Sequence, residues 1–248
     1  MKSFKEYITE AGVSAERQET SFVNAIKSAF KKNGGKAITV KTGKDTVKDV
    51  VSAQKYTGRQ SSGSEPYTDV QLILKNGKVV NVSMKGTSAP SLAGGGLSGI
   101  EEIIPGIGFR FYAAAYKQHI KNKLKPGSKV PDIFGKLNDA DKNLLVIGNS
   151  AMGGPIHYMY IGPMDVESKF TSGVLTVNGN LIQAKKYANE HDLYFRLRAR
   201  RDDQPFDPSA KYPNGTHKIY GKSPSKGDSA GRIVIVDKPA SGREVVDF

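Results

Sequence analysis

At 248 residues with 38% hydrophobic content the chain can bury a sizeable core, and its lack of cysteine excludes disulfides and thiolate metal sites. Its 37 Lys and Arg against 24 Asp and Glu leave a formal charge of +13, a field that favours polyanionic partners, with nucleic acid ahead of membrane. No apolar run approaches bilayer length and the opening residues lack the hydrophobic centre of a secretory signal, so no membrane association is expected.

In the opening stretch MKSFKEYITEAG, Phe4, Tyr7 and Ile8 fall at helical spacing, and a small, polar run follows Glu10, expected to be unstructured. From Glu16 to Lys32 the positions Phe22, Val23, Ile26 and Phe30 recur as on an amphipathic helix, stopped by Asn33-Gly34-Gly35. Ala37–Val40 reads as a short strand, Thr46–Tyr56 as a second helix and Gly58–Ser64 as a polar loop. Between Thr20 and Lys44 lie six lysines and no acid, which suits either a phosphate-facing surface or a solvated helix face.

TDVQLILKNGKVVNVSMKG is the clearest local unit. Val70, Leu72 and Leu74 alternate with polar or outward positions, Asn76-Gly77 supplies a tight turn, and Val80, Val82 and Met84 alternate again, which makes a β-hairpin. Period two sets Asp69, Gln71 and Ile73 on one face, and Ser83 and Lys85 together on one face of the partner strand.

Beyond the hairpin, Thr87–Gly99 is rich in Gly and Ser and reads as a loop, either a backbone-lined anion site or a plain connection. Phe109–Leu124 is expected to be helical with its lysines outward, among them Lys117 and Lys121. Leu144–Ile147, Tyr158–Ile161, Leu193–Ala199 and Arg232–Val236 read as strands. Arg196, Arg198 and Arg200 recur at period two, and three guanidiniums in a row repel one another unless an anion lies against them, so this face is the candidate for phosphate-backbone contact, with Tyr194 a possible stacking partner. The alternative is internal neutralisation by Asp202 and Asp203. The polar, basic segment Lys211–Arg232 holds too little apolar content to pack alone, so ordering on nucleic acid is one expectation for it. The order of elements gives an α/β (α+β) class, one domain with a mixed central sheet flanked by helices.

Phosphodiester cleavage without cysteine or a histidine cluster needs carboxylates for a hard divalent cation and a lysine near the attacking water. The hairpin brings Asp69 and Lys85 near one another across two strands. The series Glu19 on the first helix, Asp69 at a strand start and Ser83-Met84-Lys85 on the paired strand resembles the PD-(D/E)XK restriction-endonuclease-like superfamily over roughly Glu16 to Gly86. The resemblance implies Mg²⁺ as cofactor, with Asp69 and Glu19 as ligands, Lys85 beside the attacking water and DNA as partner. It departs from the signature at Ser83, which stands where the family has an acid; another carboxylate, such as Glu65, would have to complete the metal shell, or metal binding is impaired. Without the resemblance, Asp69 is a strand-start residue and Lys85 an edge charge that discourages aggregation.

The first twelve residues resemble the capsid-targeting peptide of internal head proteins in T-even-type bacteriophages. In that family a prohead protease cuts after a glutamate preceded two positions earlier by Ile or Leu, and Ile8-Thr9-Glu10-Ala11 fits. The resemblance implies a propeptide over residues 1–10, a processing site at Glu10 and Ala11, the prohead protease and capsid core as partners, and a body (11–248) carried inside the virion before reaching the host cytoplasm. Two functions follow: a phage-encoded, Mg²⁺-dependent endonuclease injected with the genome, or a non-catalytic basic head protein that binds packaged DNA.

Overall fold

The computed structural model describes residues 4–43, 45–58, 66–87, 96–227 and 231–248, with side chains from residue 16 onward. The elements are α1 (Phe4–Lys32), β1 (Ile38–Thr42), β2 (Asp45–Lys55), β3 (Val70–Leu74) and β4 (Val79–Gly86). Next come α2 (Gly96–Ile103), α3 (Ile107–Lys121), β5 (Ile133–Lys136), α4 (Asp139–Ile147), β6 (Tyr158–Gly162), β7 (Ser168–Thr171), β8 (Val174–Val177) and β9 (Asn180–Gln183). The chain closes with α5 (Ala184–Glu190), β10 (Leu193–Ala199), β11 (Gly231–Asp237) and β12 (Val245–Val246). The mixed α/β class is as expected, with two sheets where one was anticipated, each in its own unit.

The first unit takes in Met1–Pro90 and Val146–Tyr187. Its eight-stranded sheet runs in the order β7-β8-β1-β2-β3-β4-β6-β9. The hairpin is present, with Val70 opposite Val82 and Gln71 opposite Asn81, and β6 then runs parallel to β4. The amphipathic face of α1 supplies Phe22, Val23, Ile26 and Ala29, which pack on Val70, Leu72, Val82, Met84 and Tyr160 from the sheet. Each fully buried apolar side chain of this size contributes on the order of 1.5–3 kcal/mol, so α1 is held mainly by this stripe. The helix begins well before Glu16, so the backbone around Glu10 and Ala11 is helical rather than unstructured.

Thr46–Tyr56, expected as a helix, is strand β2. Its buried residues are Val47, Val50 and Ala53, three apart, because the register shifts once against β1 and once against β3. Asp49 sits at the irregularity with φ +60°, its carbonyl accepting from the Lys75 amide at 2.8 Å. Bulges thus give a strand the spacing of a helix.

The second unit takes in Ser91–Leu145 and Ala188–Phe248, around a four-stranded sheet of order β11-β10-β5-β12. Phe111 of α3 packs on Phe195 of β10 and on Phe248, with ring centroids 5.4 and 5.1 Å apart. Leu144–Ile147, expected as a strand, is the end of α4. Asn138 caps that helix: its side-chain oxygen accepts from the Asp141 amide at 2.8 Å while its side-chain amide donates to the Asp141 carboxylate at 2.7 Å. The end of the loop expected over Thr87–Gly99 is likewise helical, since α2 starts at Gly96; residues 88–95 lie outside the described residues. The Lys211–Arg232 segment is irregular up to residue 227, joins β11 at Gly231, and is anchored by its own packing: Ile219 and Tyr220 are fully buried and Tyr212 packs edge-on against Phe109 and Tyr112.

Candidate functional site

The helix and strands of the first unit converge at one end of its sheet. Glu19 lies one turn before Phe22 and Val23 on the same face of α1, so the packing that seats those two also turns Glu19 toward the sheet. Lys55 closes β2, and its ammonium stands 3.5 Å from Glu19 Oε2 and 3.5 Å from Glu16 Oε1. Asp69 precedes β3 in the ladder: its amide donates to the Val82 carbonyl at 3.0 Å, and its carbonyl accepts from the Tyr56 amide at 2.9 Å. This pins its carboxylate beside β4. There Oδ2 accepts from the Met84 amide at 2.6 Å and from the Ser83 hydroxyl at 3.2 Å, and the Lys85 ammonium lies 3.9 Å away.

Three of the four catalytic candidates, Asp69, Ser83 and Lys85, thus make direct contact, and Glu19 is close enough to feel the charge of Asp69. Ser83 is 2% exposed, so its hydroxyl is committed to Asp69. Gln18 and Lys55 complete the arrangement. The Gln18 side-chain amide, also 2% exposed, donates to the carbonyls of Gly162 and Pro163 at 3.0 Å each and to that of Lys85 at 3.4 Å. It ties α1 to the adjacent ends of β4 and β6. Nothing in the local pattern marks Gln18, whose role exists only once these strands lie side by side; Lys55 is legible only if β2 is read as a strand.

Burial pushes the carboxyl of Glu19 above its ordinary value of 4.5, the negative charge of Asp69 pushes the same way, and Lys55 opposes both. A raised carboxyl pKa means that the folded state binds the proton more readily than the unfolded state. The contribution of Glu19 to stability is therefore favourable at low pH and is lost as pH rises from 4.5 through the higher folded value. Glu19→Gln, which resembles the protonated acid, is expected to melt at a higher temperature than wild type at neutral pH in a chelator, and the difference should close below pH 4.5. An equal offset at every pH would mean that the charge of Glu19 is not the cause.

Two mutually repelling carboxylates attract a cation, and Mg²⁺ is held commonly by one or two carboxylates while keeping several waters. Glu19 and Asp69 fit that demand, whereas the neutral hydroxyl of Ser83 adds little. Among the described residues no group of three or more His, Asp and Glu side chains is placed to hold a metal, and Glu65, the candidate third ligand, lies outside the described residues.

The nucleic-acid candidates belong to the second unit and divide between two faces of its sheet. Lys117 and Lys121 are exposed on α3 and line, with Arg110, Ala113 and Ala114, a groove of about 570 Å³. Phe195 points to α3, so by alternation Arg196 and Arg198 point to the opposite face. Arg196 does not face a free anion: its Nε and Nη2 donate to Asp132 Oδ2 at 2.8 and 2.5 Å. Neutralisation comes from Asp132 rather than from Asp203, whose carboxylate accepts from the hydroxyls of Ser223 and Ser225 at 2.6 Å each. Arg200 lies past the end of β10, where its amide donates to the Gln204 side chain at 2.7 Å, and Tyr194 is buried, so it offers no stacking platform. Among the described residues no helix is long and apolar enough to cross a membrane. No family model, curated protein or solved structure matches the chain, so the geometry of these side chains carries the functional reading alone.

Proposed function

We propose that the chain is a DNA endonuclease of the restriction-endonuclease-like type, hydrolysing phosphodiester bonds with Mg²⁺. One observation carries the reading: Glu19, Asp69, Ser83 and Lys85, drawn from a helix and two strands, gather at one end of one sheet. Glu19 and Asp69 would hold the Mg²⁺, which when bound supplies charge neutralisation at the scissile phosphate. Lys85, 3.9 Å from Asp69, would orient the attacking water and offset the charge that builds on the phosphate oxygens. Asp69 in turn is oriented by Met84 and Ser83, so its carboxylate needs no reorganisation when substrate arrives.

A second reading, a DNA-binding protein that does not cut, is favoured by Ser83 in the place of an acid and by Lys55 already balancing Glu19. Nicking of supercoiled plasmid with and without Mg²⁺ separates the two. Metal-dependent nicking supports the enzyme; salt-sensitive binding with no nicking in Mg²⁺ or Mn²⁺ removes it.

The opening segment extends the proposal to a protein packaged in a phage head and delivered with the genome. A protease needs an extended backbone, and the helix α1 includes Glu10 and Ala11, so cutting there requires its first turns to unwind. Chain recovered from particles is expected to begin at Ala11 by mass spectrometry; particle-borne chain that still begins at Met1 would remove the processing claim.

A further inference from the structure

In the antiparallel pair of β10 and β11, Arg198 stands directly opposite Arg232, and Arg196 opposite Val234. Residues directly opposite share a face, with Cβ atoms about 4.5–5.5 Å apart, and like charges so placed destabilise the pair. The arginine next along the face, Arg196, is taken up by Asp132. Among the described residues no carboxylate forms an ion pair with Arg198 or Arg232. Arg198 is half-buried and Arg232 exposed. Burial, followed by the charges of Arg196 and Arg232, makes the Arg198 guanidinium easier to deprotonate than usual, and the nearby charge of Asp132 offsets this only in part.

We propose that Arg198 and Arg232 together seat one backbone phosphate of DNA on this face of the second unit. Guanidinium forks match phosphate oxygens in bidentate fashion, and two of them at directly opposite positions of adjacent strands offer more donors than one phosphate can use. The exposure of Arg232 suits a strand passing over the surface rather than a small anion enclosed in a pocket. The formal charge of +13 favours the approach of such a polymer. The seat rests on DNA as the partner, not on cleavage, and it excludes Arg196, whose charge Asp132 already answers.

The test is fluorescence anisotropy of a short labelled duplex in EDTA, over a series of salt concentrations, with wild type, Arg232→Gln and the double variant with Arg198→Gln. Arg232→Gln should weaken binding but leave the slope of log K against log[salt] nearly unchanged, because Arg198 still neutralises the phosphate. Because both arginines hold the same phosphate, only the double variant should lose that contact and lower the slope, by about 0.9, the value of one phosphate contact. Without DNA, Arg232→Gln should melt up to about 2–4 °C higher, because a cross-strand repulsion is gone. A slope unchanged in the double variant overturns the proposal, even where inorganic phosphate alone protects wild type from melting. As divalent metal is absent throughout, the outcome is independent of nicking: a chain with this salt slope that never cuts keeps the seat and loses the nuclease reading.

Discussion

Asp69→Asn is expected to cut Mg²⁺-dependent plasmid nicking by about 10²–10³-fold, the loss typical when one charge-stabilising group is removed from a hydrolytic site. Asn preserves the size of the side chain, and its oxygen can still accept from the Met84 amide that now donates to Asp69 at 2.6 Å. What disappears is the charge: Glu19 is left as the sole carboxylate of the pair, and Lys85 loses the anion 3.9 Å away. Exchange of a charge-assisted hydrogen bond for a neutral one costs about 1 kcal/mol, so the variant should remain folded. Binding to DNA in a chelator should be undiminished, since a negative charge has been taken from a surface proposed to meet phosphate. Nicking by Asp69→Asn at the wild-type rate would show that the cluster is structural.

Ser83→Asp tests whether an acid at this position serves the proposed metal site. The hydroxyl of Ser83 is 3.2 Å from Asp69 Oδ2 and 2% exposed, so an aspartate there sets a second carboxylate against the first with little solvent between them. Leaving a buried charge without compensation costs about 3–5 kcal/mol, and in a chain of this size each kcal/mol lowers the melting temperature by about 2–4 °C. In a chelator the variant should therefore melt well below wild type. Mg²⁺ should return much of that loss, because a ligand that binds only the folded state adds about 2.7 kcal/mol at a hundred times its Kd. The decisive quantity is the Mg²⁺-induced rise in melting temperature, larger in Ser83→Asp than in wild type. Equal rises in both proteins would place Ser83 away from any metal. If wild type does not cut, Ser83→Asp is the change expected to bring nicking up from background.

The parts of the fold legible in the sequence are those where side-chain period and backbone period agree. The hairpin showed itself because Val70, Leu72, Val80 and Val82 alternate around Asn76-Gly77, and β10 because Leu193, Phe195 and Leu197 do the same. β2 failed that test since its two register shifts bring Val47, Val50 and Ala53 inward at intervals of three. The end of α4 was read by its apolar run Leu144–Ile147, whereas the deciding signal lay upstream, in the Asn138 cap and the acids Asp139 and Asp141 of its first turn. At the site, Asp69, Ser83 and Lys85 were within reach because one hairpin carries them. Lys55 and Gln18 were not, since their partners Glu16, Glu19, Gly162 and Pro163 come from other elements. The same limit applies to Arg196: its spacing relative to Arg198 was visible, but its pairing with Asp132, far off in the chain, was not.

The Gln18 amide has a kinetic meaning. One side chain grips the Lys85, Gly162 and Pro163 carbonyls and so ties the helix bearing Glu19 to the strand bearing Lys85. Their relative placement is set when the chain folds, which would leave no ordering penalty for the proposed encounter with DNA. A first turnover followed in a stopped-flow instrument would then start without a lag, at a rate set by arrival and chemistry rather than by the closing of a lid.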